Sequence, residues 1–129
     1  MRNDIKNHLD PQPSLAPAAR TASANGTGVD LANFDAAMVL IDVGTWTDGA
    51  HTFEVQDSDD NAAFTAVDAA YLDGAEPVVD AAADDAQVYT VGYHGIKRYL
   101  RVAVTVTGGP ATGAVYGASV VRGKGRVKP

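Results

Sequence analysis

The chain of 129 residues is long enough for one domain and, at 46% hydrophobic residues, apolar enough to bury a single core. It contains no cysteine, which excludes disulfides, thiolate metal sites and thiol catalysis and favours a reducing compartment. The formal net charge of −6 hides a strict segregation: residues 21–85 hold fourteen Asp and Glu with no Lys or Arg, and residues 86–129 hold seven bases with no acid.

Such a dipole along the sequence points to electrostatic association, either with copies of the same chain or with a larger surface, and says nothing of catalysis. The apolar residues are mostly Ala and Val. At about 25 cal/mol per Å² of buried surface, such small side chains build a weak core, which oligomerisation or docking would reinforce. The longest apolar run, Ala36 to Ile41, falls far short of the roughly eighteen residues of a membrane span. Charges and prolines between Met1 and Pro17 leave no room for the apolar stretch of a signal peptide.

In chain order, residues 1–28 come first, with Pro11, Pro13 and Pro17 followed by a run of Ala, Ser, Asn and Gly. Prolines at this density rule out a regular helix or a central strand, so the segment reads as an extended arm tied down by a partner surface or a neighbouring subunit. Residues 29–121 read as the folded domain. Ala37 to Val43 is apolar on both faces, the pattern of a central buried strand. Asp48-Gly49 is a turn signature, and His51 to Asp57 alternates Phe53 and Val55 against polar residues, so the two runs read as a hairpin.

Asp57 to Asn61 reads as the next turn and Phe64 to Val67 as a short return strand. Asp68 to Asp85, rich in Ala and Asp, reads as loop with at most one helical turn. Gln87 to Tyr93 is strand-like and His94-Gly95 a turn. Tyr99 to Thr107 alternates cleanly, with Leu100, Val102, Val104 and Val106 on one face, and Gly113 to Arg122 supplies a last strand. Short strands about ten residues apart predict an all-β fold: an antiparallel β-sandwich or a barrel-like domain, with an extended N-terminal arm and a basic C-terminal tail over residues 122–129.

Few constellations suggest chemistry. Asp57-Ser58-Asp59-Asp60-Asn61 matches the opening of a calcium loop and Asp68 falls at its twelfth position, but Ala62 replaces the glycine of the sharp turn and no helices flank it; the run reads as an acidic turn without metal. His8, His51 and His94 have no partner at metal spacing. Asp42 ends an apolar run and reads as a strand-end carboxylate capped by backbone, with a buried base as the alternative. Trp46, Phe53, Phe64, Tyr71, Tyr93 and Tyr99 read as core or interface, with a sugar-binding platform as the alternative. No catalytic set and no cofactor motif is present.

The bases read as interaction residues: Arg2, Lys6 and Arg20 of the arm, with its Pro11 and Pro13; Lys97, Arg98 and Arg101; and Arg122, Lys124, Arg126 and Lys128 of the tail. Their partner is expected to be an acidic protein surface. Nucleic acid is disfavoured, because the acidic stretch opposes it and no aromatic residue is interleaved among the tail bases for stacking.

The block Val29-Asp30-Leu31 to Asp42-Val43-Gly44, with Thr47 to Asn61 and Phe64-Thr65-Ala66-Val67, resembles small structural proteins of tailed bacteriophages. So do Gly95-Ile96-Lys97-Arg98-Tyr99-Leu100-Arg101-Val102 and Gly117-Ala118-Ser119-Val120-Val121-Arg122-Gly123, and the similarity spans about residues 20–123. It implies a non-enzymatic virion component, foremost a capsid decoration or cement protein bound over the major capsid protein lattice. The implied partners are that protein and copies of the chain itself, as a homo-oligomer such as a trimer. The implied location is the capsid exterior, after assembly in the host cytoplasm, with no membrane involved. A head-tail connector or tail protein is the rival within the particle; a carbohydrate-binding adhesion module is the rival of another class.

Overall fold

A computed structural model describes residues 1–125. Its strands in chain order are β1 (Leu9–Arg20), β2 (Ala24–Asn25), β3 (Val29–Asp30), β4 (Phe34–Trp46), β5 (Ala50–Ser58), β6 (Thr65–Ala66), β7 (Leu72–Asp73), β8 (Val78–Val79), β9 (Val88–Tyr93), β10 (Tyr99–Thr107) and β11 (Ala114–Gly125). One sheet runs β1-β11-β4-β9-β7 and the other β2-β10-β5-β6, with β3 also on β10 and β8 on β5; every pairing is antiparallel. The two sheets stack as an open sandwich, so the sandwich expectation holds and the closed barrel does not.

The core lies between the sheets. Val39, Ile41 and Val43 of β4, Val91 of β9, and Tyr116, Ala118 and Val120 of β11 face Phe53 and Val55 of β5 and Leu100, Val102 and Val104 of β10. Period-two alternation sets this directly, because successive side chains leave a strand on opposite faces. A buried polar contact joins the sheets: Nδ1 of His51 (β5) lies 2.8 Å from the Tyr116 hydroxyl (β11), and Nε2 lies 3.1 Å from the Asp48 carbonyl. The carbonyl can only accept, so Nε2 carries the hydrogen and Tyr116 donates to Nδ1 of a neutral ring. Phe53 meets the same Tyr116 ring edge-on, centroids 4.8 Å apart.

Ala37 to Val43 is central as expected, flanked by β11 and β9. It does not form a hairpin with the strand after it. Both edges of β4 are taken, so the Asp48-Gly49 turn carries the chain across to the other sheet, where β5 pairs with β10. The Asp48 carboxylate then caps the 111–113 turn, accepting from the backbone N–H of Ala111, Thr112 and Gly113, and these bonds hold its pKa below the usual carboxylate value. Gly113 has φ +78 and a Cβ there would run into the Arg20 carbonyl, so only glycine fits.

The segment read as an arm is extended, and from Leu9 to Arg20 it is the edge strand of the five-stranded sheet, paired with β11 of its own chain. Prolines belong at an edge, since they carry no N–H to add to the ladder. The segment read as a tail continues β11 as far as Gly125; Arg126 and Lys128 lie outside the described residues. Between Asp68 and Asp85 there are two short 3₁₀ turns, Ala69–Tyr71 and Ala82–Asp84, and the two-residue strands β7 and β8, more order than the expected single turn.

Candidate docking face

The outward faces of the two sheets differ in kind. On the β10/β5 pair the outward positions are polar or charged: Thr105 opposite Thr52, Ala103 opposite Glu54, Arg101 opposite Gln56. This is the usual solvated face of a sandwich. On the five-stranded sheet the registers line up differently. Leu9, Gly123 and Ala36 form one row; Pro11, Val121, Met38 and Gly92 the next; then Pro13, Ser119, Leu40 and Thr90; then Gly117, Asp42 and Val88. Their alternates Val39, Ile41, Val91, Ala118 and Val120 are buried in the core, so these rows face away from it. Across the four rows Asp42 is the sole ionisable side chain, and it is exposed rather than a capped strand end or a buried base.

The sequence reason is plain in Ala37 to Val43. A strand apolar on both faces needs cover on both, and a two-layer sandwich covers one. Along β11 the face dips, because glycine and serine alternate there with the core residues. One hollow of about 310 Å³ sits over Gly117 and Ser119 between Pro13 and Pro17 on one side and Leu40 and Asp42 on the other. A second of about 370 Å³ sits over Gly123 between Leu9 and Ala36, where Asn7 and His8 close its end.

The residues read as interaction bases are dispersed around the body. Arg122 donates to the Asp10 carboxylate at 2.6 Å and to the Asp30 carbonyl at 2.9 Å, with its guanidinium over the Phe34 ring at 4.5 Å. Arg98 grips Asp30 with two hydrogen bonds of 2.9 and 2.8 Å, which pull the Asp30 pKa down to about 2 and raise that of Arg98. Arg101 donates to the Gln56 side chain and stacks over Phe64 at 4.0 Å. Lys97 stands 3.9 Å from Asp59. Arg20 donates to the Ala16 carbonyl, and its buried Nε meets no hydrogen-bond partner among the described residues. Arg2, Lys6 and Lys124 are exposed, as are Pro11 and Pro13 on the edge strand.

The acidic turn is held by its own side chains. Ser58 and the backbone N–H of Ala62 and Ala63 donate to Asp60, and Asn61 takes the left-handed conformation at φ +60. Asp57, buried, accepts from the Tyr93 hydroxyl, whose pKa is pushed up by burial and by that bond. The aromatics are scattered. Phe53 and Tyr93 are in the core, the Trp46 indole donates to the Gly49 carbonyl, Phe64 lies under Arg101, and Tyr71 is exposed.

The docking face escapes a reading based on charged and aromatic residues because it is made of small apolar ones. Its one signal in the sequence is the two-sided apolarity of residues 37–43.

No protein-family model matches the chain, and no curated protein matches it. Among solved structures the chain is similar to the SPBc2 prophage-derived protein YomS, at 16% identity and a TM-score of 0.44, covering 93% of this chain and 99% of that one.

Proposed function

We propose that the chain is a non-enzymatic structural component of a tailed-phage particle, and that it decorates and cements the lattice of the major capsid protein from the capsid exterior after assembly in the host cytoplasm. The observation that carries this reading is the outer face of the five-stranded sheet, a flat apolar surface with Asp42 as its single ionisable group on a sandwich that has no third layer. The blocks at 29–67 and 95–123 that resemble small phage structural proteins supply the particle.

Such a protein acts by burying surface. Many identical copies, each with a modest contact free energy, stabilise a shell without any chemical step. The polar groups that a hydrolase would need free are engaged structurally: His51 between Tyr116 and the Asp48 carbonyl, Asp48, Asp57 and Asp60 as acceptors within turns or the core. Exposed carboxylates such as Asp59, Asp68, Asp73 and Asp80 repel a polyanion and disfavour nucleic acid as the partner.

Immunogold labelling of purified particles of the phage that encodes this chain tests the assignment. Label spread over the whole shell is expected. Label confined to the neck or tail would move the protein to the connector or tail class, and unlabelled particles would remove it from the virion.

A further inference from the structure

We infer that the trough over β11 receives the N-terminal segment, residues 1–5, of a second copy of this chain. The trough is the pair of hollows over Ser119 and Gly123, walled by Leu9 and Pro13 of β1 and by Ala36 and Leu40 of β4. Residues 1–8 are all exposed in the single chain, among them the large apolar side chains of Met1 and Ile5, so this segment does not lie on its own body. It leaves from the end of the trough that Asn7 and His8 close, which aims it at a neighbour.

Spacing and charge both fit. In an extended segment Met1 and Ile5 point to the same side about 13 Å apart, and the floors at Ser119 and Gly123, also four residues apart on one strand, are separated by about the same distance. Ile5 then enters the hollow at Gly123 and Met1 the hollow at Ser119. Arg2, beside Met1, comes down at the rim where Asp42 stands, the sole ionisable side chain of that face meeting a base. An arm of one copy in a groove of the next is a head-to-tail contact, which closes into a ring or extends as a filament. This inference concerns self-association of the free protein and stands apart from the particle it serves.

The chain has no cysteine, so introduced ones report cleanly. Ile5→Cys protein mixed with Ala36→Cys protein under mild oxidation is expected to give a covalent heterodimer in preference to either homodimer. The full-length chain is expected to sediment as a larger species than a chain lacking residues 1–5, with both equally folded by circular dichroism. Asp42→Lys should weaken self-association about twofold to fivefold, the range of one exposed ion pair, and Arg2→Asp combined with it should restore binding. The inference is overturned if the truncated chain keeps the mass of the full-length one, if the cysteine pair closes only within a single chain carrying both, or if the charge swap restores nothing.

Discussion

The guanidinium of Arg122 donates to the Asp10 carboxylate at 2.6 Å, so a base near the end of the chain closes on an acid near its beginning, 112 positions away. The other ion pairs among the described residues, Arg98 with Asp30 and Lys97 with Asp59, likewise join a base after residue 96 to an acid before residue 60. Antiparallel pairing thus folds the basic end of the sequence onto its acidic part, and a share of the charge segregation is neutralised inside the molecule.

Replacing Arg122 by Met should cost about 2 kcal/mol. The pair is largely shielded, with 14% and 25% of the two side chains exposed, and the change leaves the Asp10 carboxylate and the Asp30 carbonyl without their donor. Arg98→Met, at a pair 55% and 41% exposed, should cost less than about 1 kcal/mol. Urea unfolding of both variants checks the order, and equal losses would contradict it.

Asp30 titrates near pH 2 in the folded chain, against 3.8 for an ordinary aspartate, chiefly because Arg98 hydrogen-bonds its carboxylate. A depressed folded pKa means stability that is fully present above about pH 4 and is lost as pH falls from there through about 2. Solvent screening of the half-exposed pair holds the contribution below about 1 kcal/mol. Asp30→Asn should therefore lose this part of the acid limb and leave the curve unchanged in shape above pH 5, as measured by melting temperature against pH.

Much of the fold is legible in the sequence because its best strands obey a single period. Tyr99 to Thr107 reads as a strand with the boundaries it has, since Leu100, Val102 and Val104 alternate with polar residues. Edge strand β1 reads as an arm, because prolines cancel the propensity signal and the pairing that overrides them comes from β11, about a hundred residues later. The Asp48-Gly49 turn reads as a hairpin because turn chemistry specifies a reversal and not the sheet in which the next strand pairs. Ion pairs such as Arg122 with Asp10 follow from that topology and have no local signature. The docking face lies in between, its apolar outward residues being visible in β4 while their exposure depends on how many layers the fold has.

The prolines of β1 protect an edge. Pro11→Thr combined with Pro13→Thr restores two backbone N–H groups on the outermost strand of the sheet, and an added strand can then pair there. Monomer stability should change by less than about 1 kcal/mol at these exposed positions. Light scattering at high protein concentration should rise well above that of the parent chain, whereas unchanged scattering would show that something else guards the edge.

Tyr116→Phe tests the polar contact between the sheets. The ring keeps its edge-on packing with Phe53, but buried Nδ1 of His51 loses its donor, at a cost of about 1–3 kcal/mol. His51→Phe in the same chain removes the orphaned acceptor and should recover part of the loss. Additive losses in the double-mutant cycle would show that the two residues contribute separately.

The central claim is that the apolar outer face of the five-stranded sheet is what meets the capsid. Met38→Asp and Val88→Asp place a carboxylate on that face and leave the core alone, since Met38 is opposite Gly92 and Val88 opposite Asp42 on the outward rows. The most direct measurement is co-sedimentation of each variant with empty shells of the encoding phage, beside its melting temperature. Each buried apolar side chain is worth about 1.5–3 kcal/mol, so binding should fall at least tenfold while the melting temperature of the free protein barely moves. Shell binding equal to that of the parent chain for both variants would contradict the account.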